Sequence, residues 1–124
     1  MNYRFTLHIH RLVLLFVCVL SPLFVGSASA DLINLTPERT GHTATLLNSG
    51  KVLITGGVNE TATLTSALLY DRATGTITPT GDMTAARSGH TSILLAAGTV
   101  LVAGGGNGDQ LLKSAEIYDP ATGL

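Results

Sequence analysis

The fold is decided by the stretch RTGHTATLLNSGKVLITGG at residues 39–57, because it recurs as RSGHTSILLAAGTVLVAGG at residues 87–105. The two copies are offset by 48 residues at every matched position. The match continues without a gap, so that about 20 of 38 residues are identical between 39–76 and 87–124. A fixed period of roughly 20–50 residues is typical of solenoids, propellers and other repeat arrays.

The repeat unit predicts four short strands. In the first copy these are Thr43–Leu47, Lys51–Thr55, Ser66–Tyr70 and Thr76–Thr80, which are rich in β-branched and apolar residues and are separated by Gly, Asn and Asp turn signals. Gly, Pro and β-branched residues interrupt every window long enough for a helical repeat. Four antiparallel strands in about 48 residues correspond to one blade of a β-propeller.

This unit resembles the kelch repeat, which has about 50 residues and four strands per blade. The resemblance rests on Arg-x-Gly-His before the first strand, an apolar second strand that ends in Gly-Gly, and Tyr-Asp before a turn. It implies an all-β fold, a partial kelch-type propeller of about two four-stranded antiparallel blades, with repeat units at about 39–86 and 87–124. One departure is Ile77, where the family usually has an aromatic residue.

We predict that the residues shared by the two copies have structural roles in the repeat. In the first unit they are Arg39, Gly41, His42, Gly56, Gly57, Tyr70, Asp71 and Gly75, and in the second Arg87, Gly89, His90, Gly104, Gly105, Tyr118, Asp119 and Gly123.

Three pairs among these residues could instead bind a ligand or take part in catalysis. His42 and His90 could form a metal pair, but a hydrogen bond at a blade edge explains better why the position repeats. The two Arg residues could bind an anion, or each could pair with a carboxylate of the adjoining blade. Asp71 and Asp119 could be an acid/base pair, but both open turns, where a capping side chain is expected. We therefore predict no catalytic, cofactor-binding or metal-binding residue, and no cofactor.

Residues 1–30 are typical of a secretory signal peptide. A positive start is followed by a nine-residue apolar run at 12–20 and by the small-residue cleavage motif Ala28-Ser29-Ala30. The apolar run is shorter than the ~20 residues that a membrane-spanning helix needs. We expect a signal-peptide helix that is cleaved after Ala30, a mature domain at 31–124, and a secreted protein, extracellular or periplasmic, that does not stay in the membrane. Its single cysteine, Cys18, leaves with the leader.

The number of blades does not determine whether or how the chain assembles. A propeller usually closes with 4–8 blades, whereas this sequence has one complete unit and a second without its fourth strand. The chain could be a fragment of a longer gene product, a subunit of a ring of several copies, or a marginal two-blade piece. Open blade edges predict possible self-association.

The functional prediction is a secreted, non-catalytic kelch-repeat segment that binds a protein or a carbohydrate. A net charge of −1 without a basic cluster argues against nucleic acid. The alternative is a fragment of a larger kelch or galactose-oxidase-like protein with no independent activity. The distant similarity to the central domain of galactose oxidase implies a copper site with Tyr and His ligands and a Cys–Tyr crosslink, which a mature chain without cysteine cannot form.

Overall fold

The structure is a computed structural model that describes residues 33–124. The predicted signal peptide, its helix and its cleavage site after Ala30 lie outside the described residues. Within 33–124, no helix reaches the length and apolarity needed to cross a membrane.

Two antiparallel sheets make up the described part. The first contains β1 (Thr43–Leu46), β2 (Val52–Thr55), β3 (Ala67–Asp71) and β4 (Thr76–Pro79) in the order β1-β2-β3-β4. The second contains β5 (Thr91–Leu94), β6 (Val100–Ala103) and β7 (Ala115–Tyr118) in the order β5-β6-β7. The predicted all-β fold of a partial propeller is confirmed, and we call the sheets blade 1 and blade 2. Blade 2 has three strands in the described residues, and residues 120–123 form the turn that follows β7.

The two blades pair their strands in the same register. Thr43 lies opposite Thr55 in blade 1, and Thr91 lies opposite Ala103 in blade 2. The tight turn between the first two strands needs a left-handed residue, and glycine supplies it with φ of 83° at Gly50. The repeated sequence therefore folds into the same local structure twice.

The hydrophobic core lies between the blades. Blade 1 contributes Leu53 and Ala67 together with Leu47 from the turn after β1, and blade 2 contributes Val100, Val102 and Tyr118. Leu53 and Val100 are fully buried. Complete burial of such a side chain stabilises the fold by about 1.5–3 kcal/mol. Because alternate residues of a strand point to opposite faces, one face of each blade contributes to this core.

Candidate functional site

The repeated arginines hold the ends of the strands in their own blade. Arg87 Nη1 donates to the carbonyls of Gly104 at 2.9 Å and Ser114 at 3.2 Å, and its Nη2 donates to Ser114 Oγ at 3.2 Å. Arg39 makes the same bonds to Gly56 and Ser66 in blade 1. Each guanidinium thus joins the glycine pair after the second strand to the start of the third.

The carboxylate predicted for these arginines is not in the adjoining blade. Arg87 Nη2 donates to Glu116 Oε1 at 2.6 Å, and Glu116 belongs to the same repeat. Arg39 has Leu68 at the equivalent position and bonds to backbone oxygens instead. The prediction was wrong because the guanidinium reaches along its own sheet, where β7 is its neighbour.

Glu116 also fixes the segment that connects the blades. Its two oxygens accept hydrogen bonds from the backbone N–H of Thr84 at 2.6 Å and of Ala85 at 3.2 Å. Burial raises the pKa of this carboxyl. The hydrogen bonds from Thr84, Arg87 and Ala85 together outweigh burial, so that the pKa lies below its usual value. The group is therefore held as a carboxylate at neutral pH.

His90 joins the two blades. Its Nε2 lies 2.9 Å from Thr43 Oγ1 and 2.9 Å from Thr55 Oγ1, and the two hydroxyls are 2.8 Å apart. Burial lowers the pKa of His90, and the charges of Arg87 and His42 lower it further, which favours the neutral ring. In blade 1 the equivalent His42 places Nδ1 3.2 Å from the carbonyl oxygen of Arg39.

The two glycines of each pair meet different neighbours. A Cβ on Gly56 would lie 2.2 Å from the carbonyl oxygen of Arg87 in blade 2, whereas a Cβ on Gly57 would lie 2.8 Å from the carbonyl oxygen of Thr40 in its own blade. Gly57 N–H donates to Arg87 O at 2.9 Å. The first glycine therefore allows close approach of the next blade, and the second allows close packing within the repeat. Gly104, the counterpart of Gly56, has its nearest atom at 3.9 Å.

The glycines that precede the first strands also meet between blades. Gly89 N–H donates to the carbonyl oxygen of Gly41 at 2.8 Å. Both residues have a left-handed backbone, with φ of 64° at Gly41 and 62° at Gly89. The counterpart of Gly57, Gly105, packs against Ser88 of its own repeat, as expected from the common geometry.

The Tyr-Asp pairs lie at the other end of the strands. Tyr118 is buried, and its hydroxyl lies 2.9 Å from Thr80 Oγ1 in the crossover from blade 1. Asp119 Oδ1 accepts from Ala121 N–H at 2.9 Å, and its carbonyl accepts from Gly123 N–H at 2.8 Å. In blade 1, Tyr70 is half-buried, and Asp71 and Gly75 form the same turn.

Two equivalent loops form an open surface at the opposite end. They are loop A (57–64) and loop B (105–112), between the second and third strands of each blade. Asn59 Oδ1 accepts from the N–H of Thr61 and Ala62 in loop A, and Asn107 Oδ1 accepts from two backbone N–H groups in loop B. Beside each loop lies a shallow groove, of about 640 Å³ at loop A and about 530 Å³ at loop B. We call this surface the loop face.

The sequence analysis did not identify some residues that make these contacts. Ser66 and Ser114 are identical in the two copies and could have been found by their repetition. Glu116 has Leu68 at the equivalent position of the first copy. The hydrogen bonds Arg87–Glu116 and Thr80–Tyr118 each join residues more than 25 positions apart, so no local sequence signal predicts them.

The comparisons with known proteins agree with this geometry. Residues 87–124 match the family model of the Kelch motif. This match spans the whole of blade 2 as the structure describes it. Blade 1 has the same strand order, register and arginine bonds, so that the predicted kelch resemblance is confirmed in the structure. No curated protein matches the chain.

Among solved structures, the chain is similar to a fungal alcohol oxidase of the AA5 family, described in complex with copper. The TM-score is 0.58 at 23% identity, and the match covers 70% of this chain and 18% of the oxidase. At this identity the similarity shows the fold. The chain spans less than a fifth of the length of that oxidase.

A copper site does not fit the described residues. His90 Nε2 is held by two threonine hydroxyls, and the hydroxyl of Tyr118 bonds to Thr80 at the other end of the strands. Within 33–124, no three His, Cys, Asp or Glu side chains are grouped so that they could hold a metal ion. We therefore derive no chemistry from copper.

Proposed function

We propose that this chain is a secreted, non-catalytic kelch-repeat module that binds a partner protein through its loop face. The observation that carries the proposal is that loops A and B share one backbone frame but differ in their side chains. A rigid scaffold that presents variable loops is the usual arrangement of a binding surface.

The shared frame consists of hydrogen bonds that repeat at the 48-residue offset. Val58 bridges Thr40 and Thr63 in blade 1, and Gly106 bridges the equivalent pair in blade 2. Between 58–64 and 106–112, only the turn-forming Asn and the final Leu are identical. The other five positions differ between the two copies, although both loops keep the same backbone bridges.

The exposed side chains of the loop face favour a protein over a glycan. Leu111 is 85% exposed in loop B, two residues after the exposed Asp109, and Glu60 and Thr61 are exposed on loop A. An apolar anchor surrounded by polar groups is typical of protein interfaces. Neither loop contains an aromatic residue on which a sugar ring could stack.

The polar side chains that join strands and blades support a non-catalytic role. Arg87, Glu116 and His90 are each engaged in hydrogen bonds that hold strands or blades together.

The proposal that the chain is exported rests on the leader sequence. It is tested by expressing the full chain in a secreting host and sequencing the N-terminus of the product. We expect the product to begin at Asp31.

Binding can be tested by selecting peptides from a display library on the folded, secreted protein and by probing a glycan array with the same preparation. We expect selected peptides whose affinity falls at least about tenfold in Leu111→Ala. Arg72→Ala is the control, because Arg72 is exposed in the turn at the opposite end of the strands. Equal losses in both variants, or binding to glycans alone, would contradict the proposal. A folded protein that binds neither class would favour the alternative, a piece of a larger protein without independent activity.

A further inference from the structure

We propose that Asn59 in loop A is the acceptor of an N-linked glycan, which the chain receives while it is exported. The sequence contains two Asn-x-Ser/Thr acceptor motifs, Asn34-Leu35-Thr36 and Asn59-Glu60-Thr61. The structure favours the second of them. This inference rests on the proposed export of the chain and does not depend on the partner of the loop face.

The hydroxyl that defines the motif is bonded to the acceptor side chain in the folded loop. Thr61 Oγ1 donates to Asn59 Oδ1 at 3.0 Å, and the backbone N–H groups of Thr61 and Ala62 donate to the same oxygen at 3.0 and 2.8 Å. Three donors therefore fix the orientation of the amide. All of them lie within three positions of Asn59, so this turn can form from local contacts before the blades pack.

The nitrogen that would carry the sugar is accessible to solvent. Asn59 Nδ2 donates no hydrogen bond to another described residue, and the buried side-chain atoms without a partner in that part of the chain belong to Arg87 and His90. Glu60 and Thr61 beside it are exposed. The open groove of about 640 Å³ along loop A leaves space for the first sugar. An attached glycan would therefore displace no packed side chain.

Attachment is a group transfer from a donor of defined chemical class, an oligosaccharide linked through its anomeric carbon to a lipid diphosphate. A transferase of the export pathway brings the donor to the chain. The bond between the anomeric carbon and the diphosphate oxygen breaks, and the lipid diphosphate leaves with the electron pair. Asn59 Nδ2 forms the new bond to that carbon and gives one proton to a base of the transferase. The donors on Oδ1 assist this step, because they stabilise the negative charge that the amide gains as the proton leaves.

Loop B has the same turn without the acceptor motif. Asn107 Oδ1 accepts from the N–H of Asp109 at 3.1 Å and of Gln110 at 3.0 Å, as Asn59 Oδ1 does at the equivalent positions of loop A. Asp109 stands where loop A has Thr61, so the hydroxyl is missing. The repeat thus provides a control turn in the same chain.

The motif at Asn34 is a less favourable acceptor. Pro37 follows Thr36 directly. The residue before a proline is disfavoured in the helical region of backbone angles and is shifted towards extended ones. This restriction opposes a turn like the one that brings Thr61 to Asn59. We therefore expect the glycan at Asn59 and not at Asn34.

Mass spectrometry of the secreted protein tests the proposal. The full chain is expressed in a host whose secretory pathway attaches N-linked glycans, and its peptides are compared before and after an amidase removes them, which leaves Asp in place of each glycosylated Asn. We expect most chains to carry a glycan at Asn59 and the peptide with Asn34 to be unmodified. An unmodified Asn59 in the secreted protein would overturn the inference.

Three variants test the role of the hydroxyl. Thr61→Ala should lose the glycan, whereas Thr61→Ser, which keeps a hydroxyl at this position, should retain it. Asp109→Thr should gain a second glycan at Asn107, because the turn of loop B is already formed. A glycan that persists in Thr61→Ala, or an unmodified Asn107 in Asp109→Thr, would contradict the geometry proposed for the acceptor.

Sequencing the N-terminus separates this inference from export. A secreted chain that begins at Asp31 with an unmodified Asn59 would refute glycosylation and leave export intact. If the native leader does not export the chain, residues 1–30 are replaced by a leader of established function, and Asn59 is tested in that product. Binding at the loop face is measured separately through Leu111→Ala, so the proposals can fail independently.

Discussion

Replacing Gly56 by alanine should destabilise the protein far more than the same change at Gly104. The two glycines occupy the same position of the repeat, and both have a left-handed backbone, with φ of 58° and 68°. They differ in their surroundings. The new Cβ would lie 2.2 Å from Arg87 O at Gly56, but 3.9 Å from its nearest neighbour at Gly104.

The magnitude follows from separating these two effects. The left-handed backbone costs alanine about 1–2 kcal/mol at either position. At Gly56, the carbonyl of Arg87 must also move by about 1 Å, with an overpacking cost of about 1–3 kcal/mol. The movement breaks the bond from Gly57 N–H, which is worth about 1 kcal/mol. We therefore expect Gly56→Ala to lower the free energy of unfolding by about 2–4 kcal/mol more than Gly104→Ala.

Urea denaturation of both variants and the wild type would measure this difference, at dilutions where light scattering shows single chains. Circular dichroism before the titration should show β-structure in all three proteins. If the two variants lose the same stability within about 0.5 kcal/mol, the blades do not pack through Gly56 as described. The reasoning from the interface would then be refuted.

Three further predictions concern single side chains. Glu116→Gln should lower the free energy of unfolding at neutral pH by about 2 kcal/mol, because buried Arg87 loses its charged partner. Since the pKa of Glu116 is lowered, this contribution should be present above pH 4.5 and be lost as the pH falls through the lowered value, so wild type and variant should converge in acid. His90 has a lowered pKa, so the unfolded chain binds its proton first, and stability should decline as the pH falls below 6.5. His90→Gln should flatten that slope in chemical denaturation at pH 5–7. Leu53→Ala should cost about 2–5 kcal/mol in thermal or urea unfolding, whereas Leu101→Ala, at the half-buried counterpart, should cost clearly less; equal losses would contradict the greater exposure of Leu101.

The strands were largely predictable from the sequence. Val52–Thr55 and Thr91–Leu94 lie within the predicted strands, because apolar runs bounded by glycine and turn residues specify short strands locally. The repetition at a constant offset then predicted that these strands form one blade per repeat, since similar local sequences are expected to form the same local structure. The turn after Asp71 was predicted for the same reason, from residues adjacent in the chain.

The polar contacts were less predictable. Arg87 pairs with a carboxylate, as expected. The carboxylate is not in the adjoining blade, because Glu116 lies in the same sheet as Arg87. Glu116 replaces Leu68 of the other copy, so repetition could not reveal it. The hydroxyls of Thr43 and Thr55 became partners of His90 only when two sheets 48 residues apart were packed together.

The sequence by itself determined the period, the strands and the residues that each blade requires, because these depend on short-range backbone preferences and on repetition. Only the tertiary structure decided which glycine receives the neighbouring blade and which face stays exposed. Those properties depend on the packing of one blade against another. Identical residues such as Gly56 and Gly104 therefore have the same local conformation and different surroundings.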